Sequence, residues 1–501
     1  MNISIKRVLG IGLLLLMPVH KDVKAQSAPP RIPKGIYAVV KVEDVVENRF
    51  NVIKSEGKGI TIAGMDLYLT NDFYPQLLGN HAVAGLALEI HWDTLNPNPP
   101  GDPNDYFWNY VDDAFSSVST WNQNHPDAAP KTIQLIVSPG FNSPQWLLNE
   151  IADTDGSCDG LFSGVPPTPG PGCGLVTFAK FTEQNEADGN VLPLPWDMTY
   201  EVAWYGFLEE LGARYTNKPA LVSIAVAGPT GASAEMLLPS GNAYGTFNGT
   251  NVPADHMWHI LLSNVGLPQT DFAFILEWYA AIDAYGDIFS GLTLVATTGN
   301  GLPNLAPGPF TPPPPFGPDC SSVENMDCQA ETTILSDFIM PSVGGSNGKA
   351  TQTSGLEVSR EGTNLGINGV RFLTQYTMGM TSPSTLILGG AQFNESVSQN
   401  PDAEGCPSGH PACSLSRVQA LYNVLGDYFD YTPAGGGFFG GTLGSAPLNY
   451  LQIYSSDIQY ANNNPEHVSI SLADGASASM AFQDLLNEAN TELMSIAELE
   501  P

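Results

Sequence analysis

The fold is decided by residues 83–137, which read VAGLALEIH at 83–91, YFWNYVDDAFSSVSTWNQ from Tyr106, and TIQLIV at 132–137. The first and last of these segments are short apolar runs of the kind that form buried strands. The middle segment carries its apolar residues at helical spacing. A strand, a helix and a second strand in this order predict a parallel βαβ unit.

The same alternation extends along most of the chain. Helical patterns begin at Tyr106, Glu201, Phe272, Gly369, Leu415 and Met480. Strands are predicted at 60–69, 83–91, 132–137, 221–227, 292–296, 350–358, 385–388 and 448–454. Eight apolar strands separated by helices favour an α/β fold that closes into a (β/α)8 TIM-type barrel over an open doubly wound sheet, which alternates in the same way.

The N-terminus has the pattern of a targeting segment. Lys6 and Arg7 precede an apolar run at 8–19, which is too short to span a bilayer. Val23-Lys24-Ala25 then fits the small-x-small rule for cleavage. We expect a signal peptide at 1–25, with an uncleaved anchor as the alternative, then an N-terminal extension at 26–57 and the barrel at 58–501. The protein is therefore predicted to be secreted or periplasmic.

Charge narrows the choice of partners. The chain has 18 Lys and Arg against 51 Asp and Glu, a formal net charge of -33. Such a chain repels phosphate backbones and anionic lipid surfaces, so we expect neither nucleic acid binding nor membrane insertion. Hydrophobic residues make up 43% of the sequence, which is enough for a sizeable core.

The length beyond that of a simple barrel lies in segments that follow strands. The 501 residues exceed the about 250 that are typical of the fold. The excess falls at 142–197, 237–271, 299–331 and 394–414. Segments that follow strands lie at the C-terminal face of a barrel, where active sites are built. We therefore expect long loops around a site.

Six cysteines form three close pairs in three of these loops. In an exported protein this arrangement predicts disulfide bonds, 158–173, 320–328 and 406–413, that staple the loops. Zinc binding is the alternative for such clusters. It is disfavoured because the pairs lack C-x-x-C spacing and no histidine cluster accompanies them. We expect neither a metal nor a cofactor.

Two glutamates stand out among the acids near predicted strand ends. Glu235 ends AVAGPTGASAE after the fourth strand, and Glu395 ends LILGGAQFNE after the seventh. Glycoside hydrolysis needs two carboxyl groups that flank one bond, one as acid and base and one as nucleophile. A single acid at a strand end is more often structural or solvated. The other acids at such positions are Asp66, Glu89, Asp93, Glu357 and Asp457.

Several segments resemble the clan of retaining glycoside hydrolases with a (β/α)8 barrel, which includes endoglucanase-like and β-galactosidase-like families. The segments are LEIHWDTLNP at 88–97, Tyr106-Phe107 at a helix start, and IVSPGFNSPQWLL at 136–148. The resemblance implies that Glu235, after strand four, is the acid/base. It implies that Glu395, after strand seven, is the nucleophile.

Three features depart from the pattern of that clan. Ala234 precedes Glu235 where the clan usually has Asn, whereas Asn394 precedes Glu395. The Tyr expected near strand six is missing from TSGLEVSR at 353–360, which leaves Glu357 as a rival nucleophile. A non-catalytic glycan-binding or surface protein on a degenerate barrel is therefore the alternative to an enzyme.

Further residues are predicted to bind substrate. Sugars stack on exposed aromatic faces and bind to hydrogen-bonding side chains, although core packing is the alternative for each aromatic residue. The predicted binding residues are His91, Trp92, Asn142, Trp146, Trp258, Asn394 and Tyr454. An esterase is disfavoured, because the G-x-S-x-G match at 344–348 is not followed by an apolar helix. The sequence thus predicts a retaining glycoside hydrolase acting on a β-linked oligo- or polysaccharide.

Overall fold

The computed structural model describes residues 31–55, 59, 61–161, 173–178, 190–231, 233–239, 254–267, 272–302, 356–362, 389–393, 396–401, 414–428, 448–472 and 475–497. The large strands are β1 (Gly35–Lys41), β2 (Val83–His91), β3 (Thr132–Ser138), β6 (Leu221–Ala225), β8 (Thr293–Gly301), β9 (Leu356–Gly362), β10 (Gly389–Phe393) and β11 (Leu448–Tyr454). The short strands are β4 (Leu175–Phe178), β5 (Asn190–Pro193), β7 (Glu235–Leu237), β12 (Val468–Ser471) and β13 (Ser477–Met480).

Helices connect or flank these strands. They are α1 (Val42–Ser55), α2 (Ile62–Tyr68), α3 (Tyr74–Leu78), α4 (Trp92–Leu95), α5 (Asn109–Asn124), α6 (Gln145–Thr154), α7 (Met198–Tyr215), α8 (Ala254–Val265), α9 (Phe272–Ile288), α10 (Arg417–Tyr428), α11 (Ser455–Asn463) and α12 (Phe482–Ala497). A π-helical turn joins α2 to α3 at Leu69–Phe73, and a 3-10 turn follows β3 at Gly140–Asn142. None of the helices in the described ranges is both long and apolar enough to cross a bilayer.

The main sheet is parallel and curled. Its strand order among the described residues is β6-β3-β2-β1-β11-β10-β9-β8-β7. Strand β6 pairs in addition with β8, Ser223 lying opposite Thr293 and Ala225 opposite Val295. All strands of this sheet run in the same direction, so their carboxyl ends meet at one edge, which we call the C-terminal edge.

The strands are apolar on both faces, as β1 illustrates. Ile36, Ala38 and Val40 are fully buried and belong to the large core shared with the surrounding helices. The alternate residues Tyr37 and Val39 belong to a second, smaller core. Because successive side chains of a strand point to opposite faces, this second core lies on the inner side of the curl. Burial on both faces explains the near-continuous apolar runs in the sequence.

Polar contacts cross the inner side of the sheet. The Gln452 side chain of β11 donates to the Gln134 side chain of β3 at 2.8 Å, and both are buried. The Tyr37 hydroxyl of β1 lies 2.6 Å from the Thr132 hydroxyl of β3. Because β1 and β2 separate β11 from β3 in the sheet, the glutamine pair can meet only if the sheet is strongly curled.

The prediction of the first strand was wrong. Ile62–Tyr68 form helix α2 and Leu69 begins the π-helical turn. The Thr61 hydroxyl caps α2 by accepting a hydrogen bond from the Gly64 N–H. Met65 and Leu69 are buried, and their spacing of four is helical rather than strand-like. The first strand of the sheet is β1, which lies within the stretch 26–57 that was assigned to an N-terminal extension.

The other predicted strands can be compared with strands of the main sheet. The predicted strands at 83–91 and 448–454 coincide with β2 and β11, and those at 132–137, 221–227 and 292–296 overlap β3, β6 and β8. The predicted sixth strand overlaps β9 at 356–358, and β10 follows directly after 385–388, where the seventh strand was predicted to start. Residues 350–355 and 385–388 themselves lie outside the described residues. The signal peptide and the helical pattern from Gly369 lie outside the described residues.

One of the predicted disulfides is present. Cys158 and Cys173 are bonded in the segment between β3 and α7, with their Cα atoms 4.9 Å apart. The other four cysteines lie outside the described residues, so the bonds 320–328 and 406–413 stay predictions. Both bonded cysteines are buried in the large core.

Removing this disulfide should destabilise the protein. The bond closes a loop with a sequence separation of 15. We expect Cys158→Ala combined with Cys173→Ala to lower the free energy of unfolding by about 2–3 kcal/mol, because the unfolded chain regains the entropy of that loop. Urea denaturation of the variant against the oxidised parent checks this. An unchanged midpoint and slope would contradict it.

Candidate active site

Four polar side chains lie on the inner face at the C-terminal edge. They are Lys41 at the end of β1, Glu89 and His91 at the end of β2, and Tyr454 at the end of β11. In each case, the residue two positions earlier in the same strand has its side chain on the inner side of the sheet. Side chains two residues apart in a strand lie on the same face, so these four side chains also lie on the inner face. The structure thus brings the predicted binding residues His91 and Tyr454 to the edge where sites of parallel α/β folds form.

Glu89 has an unusual electrostatic setting. Its Oε1 lies 3.8 Å from Lys41 Nζ, and its side chain is 15% exposed. Burial raises the pKa of Glu89; the Lys41 ammonium opposes this rise, and the charge of Glu235 adds to it. Glu89 and Glu235 therefore lie near each other, although they come from different strands. Two carboxyl groups close together at one edge of the sheet are a feature that glycoside hydrolysis requires.

Glu235 lies beyond the fourth large strand, β6. It begins β7, which pairs with β8 through Glu235 opposite Thr297. The pairing of β6 with β8 ends at Val295, two residues before Thr297. β7 therefore pairs with β8 beyond the point where β6 ends. Glu235 is half-buried, and its backbone N–H donates to the Ser233 hydroxyl at 3.2 Å. The glutamate is thereby held at the C-terminal edge.

Asn394 and Glu395 lie outside the described residues, but the residues that follow them are firmly held. The fully buried Asp457 accepts hydrogen bonds from the Ser396 hydroxyl at 2.8 Å, the Ser398 N–H at 2.7 Å and the Val397 N–H at 3.2 Å. Burial raises the pKa of Asp457, and these hydrogen bonds oppose the rise. Asp457 thus ties the start of α11 to the segment that follows β10.

Two of the predicted sugar-binding aromatics lie in the core instead. Trp92 is fully buried, with its ring centroid 4.9 Å from that of Trp204 in α7. His91 faces inward, so the next residue points outward to the helices. Trp258 is also fully buried; its indole N–H donates to the Pro239 carbonyl at 3.2 Å. Neither ring presents an exposed face on which a sugar could stack, which corrects these two predictions.

The other predicted binding residues are more accessible. Asn142 ends the 3-10 turn after β3 and is half-buried. Trp146 is partly buried in α6 and donates to the Asn96 carbonyl at 3.0 Å. Tyr454 is half-buried, and Lys41 Nζ lies 5.6 Å from its ring centroid. Their contact with substrate stays a prediction.

The rival nucleophile Glu357 does not end a strand. Its backbone is the second position of β9, in register with Val295 of β8. The sequence placed it at a strand end because strand six was predicted to stop at 358. Near the C-terminal end of β9 stands Glu361, in register with Gln392 of β10. Neither Glu361 nor Lys41 was predicted from the sequence as a site residue. Lys41 could have been, because it lies four residues after Tyr37 in the same strand and therefore on the same face.

Metal binding finds no support in the ranges that the structure describes. No group of three or more His, Cys, Asp or Glu side chains there is placed to hold a metal ion.

A second acidic pair lies between the packed helices α7 and α9. Glu201 and Glu277 share a side-chain hydrogen bond. Burial, aided by the charge of Asp197, raises the pKa of Glu201 to about 7, although the bond to Glu277 opposes this. Burial and the charge of Glu201 raise the pKa of Glu277 well above its ordinary value. The pair therefore holds at least one proton near neutral pH.

This pair should make the protein less stable as pH rises. Raised pKa values mean that the folded state binds more protons than the unfolded chain, so stability falls from about pH 4.5, the ordinary glutamate value, through pH 7. Glu201→Gln should remove about 1–3 kcal/mol of this dependence, after allowance for solvent screening. Urea titrations between pH 5 and pH 8, with the exposed Glu209→Gln as control, check this; parallel pH profiles of both variants and parent would contradict it.

Comparison with known proteins gives little further identification. The chain matches no protein-family model and no curated protein. A solved structure similar to it is the β-galactosidase from the psychrophilic Marinomonas ef1, at 10% sequence identity and a TM-score of 0.33. The similarity covers 93% of this chain, which spans 60% of the length of the galactosidase chain. At this distance the similarity identifies no family.

Proposed function

We propose that the protein is an exported retaining glycoside hydrolase that cleaves a β-linked glycan, and that its curled sheet is a (β/α)8 barrel. The ring of parallel pairings, in which β6 meets both β3 and β8, supports the barrel. The observation that carries the function is the placement of Glu235. It stands beyond the fourth large strand at the C-terminal edge, close to the second carboxyl group there, that of Glu89.

The proposed mechanism is a double displacement. Glu395 attacks the anomeric carbon, while Glu235 gives its proton to the leaving glycosidic oxygen. Glu235 then takes a proton from water, which attacks the same carbon and releases Glu395, so the configuration is retained. This chemistry requires the two carboxyl groups to lie about 5–5.5 Å apart. The Lys41–Glu89 pair at the same edge can bind sugar hydroxyls.

Release of reducing sugar from β-glucans, β-mannans and β-galactans tests this proposal. We expect the parent to release sugar from at least one of these glycans. A proton NMR spectrum of the first product should show the configuration of the substrate. Inverted product would contradict the retaining mechanism. Binding of a glycan without any release would instead support a glycan-binding protein on a degenerate barrel.

A further inference from the structure

A cavity of about 590 Å³ opens beside the proposed catalytic edge. Its walls come from the ends of β1 and β11, from α1 and α11, and from residues 396–400 after β10. This volume lies within the about 300–1,000 Å³ of typical small-molecule sites. One of the lining residues, Ser396, directly follows the proposed nucleophile Glu395 in the sequence.

Two cations line this cavity, in a chain that has only 18 Lys and Arg among 501 residues. Lys41 is engaged with Glu89 at 3.8 Å. Arg49 is different, since its guanidinium carbon lies 4.4 Å from the centre of the Tyr68 ring. The Nε of Arg49 is buried and finds no hydrogen-bond partner in the described part of the chain. A buried donor without a partner is costly, which points to a ligand that would accept from it.

The surroundings of Arg49 favour an anion attached to a sugar. A planar guanidinium binds a carboxylate or sulfate through paired hydrogen bonds, and the Tyr68 ring supports one of its faces. Asp44 is the acid among the lining residues, and it is exposed. The lining also includes Asn48, Ser456 and Gln459, whose amide and hydroxyl groups suit sugar hydroxyls.

We infer that this cavity binds an anionic substituent, a carboxylate or a sulfate ester, on the glycan, and that Arg49 is the residue that selects it. That the ligand is a glycan rests on the proposed hydrolase function. The substrate class is therefore an acidic polysaccharide. The net charge of -33 would otherwise repel such a polymer, so a local cationic site is what its binding requires.

Calorimetric binding tests this inference without any need for turnover. The probes are methyl β-glycosides of glucuronic, galacturonic and mannuronic acid, each compared with its methyl ester, and 6-sulfated glucoside and galactoside compared with the unsulfated sugars. We expect at least one anionic probe to bind about tenfold more tightly than its neutral counterpart, and this preference to shrink in 1 M salt. Arg49→Gln should abolish the preference and leave the neutral sugars unaffected.

Lys54→Gln is the matched control, because Lys54 lies on the same helix but does not line the cavity. It should keep the full preference. Arg49→Lys keeps the charge without the paired geometry and should retain only part of it, which covers the case that Arg49→Gln folds poorly. If no anionic probe outcompetes its neutral partner, or if Arg49→Gln keeps the preference, the inference is overturned. Anion preference without hydrolysis would instead refute the hydrolase and leave the anion site standing.

Discussion

Replacing Glu395 by Ala should abolish turnover of every glycan, because no nucleophile remains to form the glycosyl-enzyme. Replacing Glu235 by Ala should lower the rate on polysaccharide by about 10²–10⁴-fold, the usual contribution of a general acid. It should cost much less on aryl glycosides with good leaving groups, which need little protonation. Added azide should restore activity to the Glu235 variant and give a glycosyl azide of retained configuration.

Rates of sugar release and of aryl glycoside cleavage measure these effects. Glu466→Gln is a suitable control, because Glu466 is an exposed carboxylate distant in sequence from both glutamates. It should keep the parent rate. Full activity of both glutamate variants on polysaccharide would refute the two-glutamate mechanism. Rescue of the Glu395 variant, rather than the Glu235 variant, by azide with retained product would reverse the assigned roles.

Replacing Asp457 by Ala should lower the stability of the protein substantially. The change leaves the Ser396 hydroxyl and the N–H groups of Val397 and Ser398 without their acceptor in a buried setting. We expect the free energy of unfolding to fall by about 2–4 kcal/mol. The rate of glycan hydrolysis should fall as well, because Ser396 directly follows Glu395 and Asp457 would no longer hold Ser396, Val397 and Ser398 in place.

Urea denaturation of Asp457→Ala against the parent checks this prediction. Asp127→Ala is its control, because Asp127 is an exposed carboxylate in a turn and should change stability by less than about 0.5 kcal/mol. The stability of Asp457→Asn should lie between those of the two alanine variants. Its amide oxygen still accepts a hydrogen bond, whereas its amide nitrogen is itself a donor and cannot accept one from a backbone N–H. Equal stability of the Asp457→Ala and Asp127→Ala variants would show that the buried hydrogen bonds contribute nothing.

The local periodicity of the sequence was sufficient to predict much of the secondary structure. The runs at 83–91 and 448–454 predicted β2 and β11 correctly, because strands buried on both faces must be apolar throughout. The run at 60–69 predicted a strand where α2 lies, although its buried residues Met65 and Leu69 are spaced by one helical turn. The position of Glu235 followed from the end of the fourth strand, which is also a local signal. The bond between Cys158 and Cys173 was predictable for a similar reason, since they are close in sequence.

Which residues meet at the site was decided only by the tertiary structure. His91 faces the inner side and Trp92 the outer core, a difference of one residue that depends on which way the sheet curls. Lys41, Glu89 and Glu235 come from three separate strands. Lys41 and Glu235 affect the pKa of Glu89 because the curl of the sheet brings those strands to one edge. Sequence patterns report whether a residue is buried, because burial follows local period. They do not report its partners, because those are set by contacts between segments far apart in the chain.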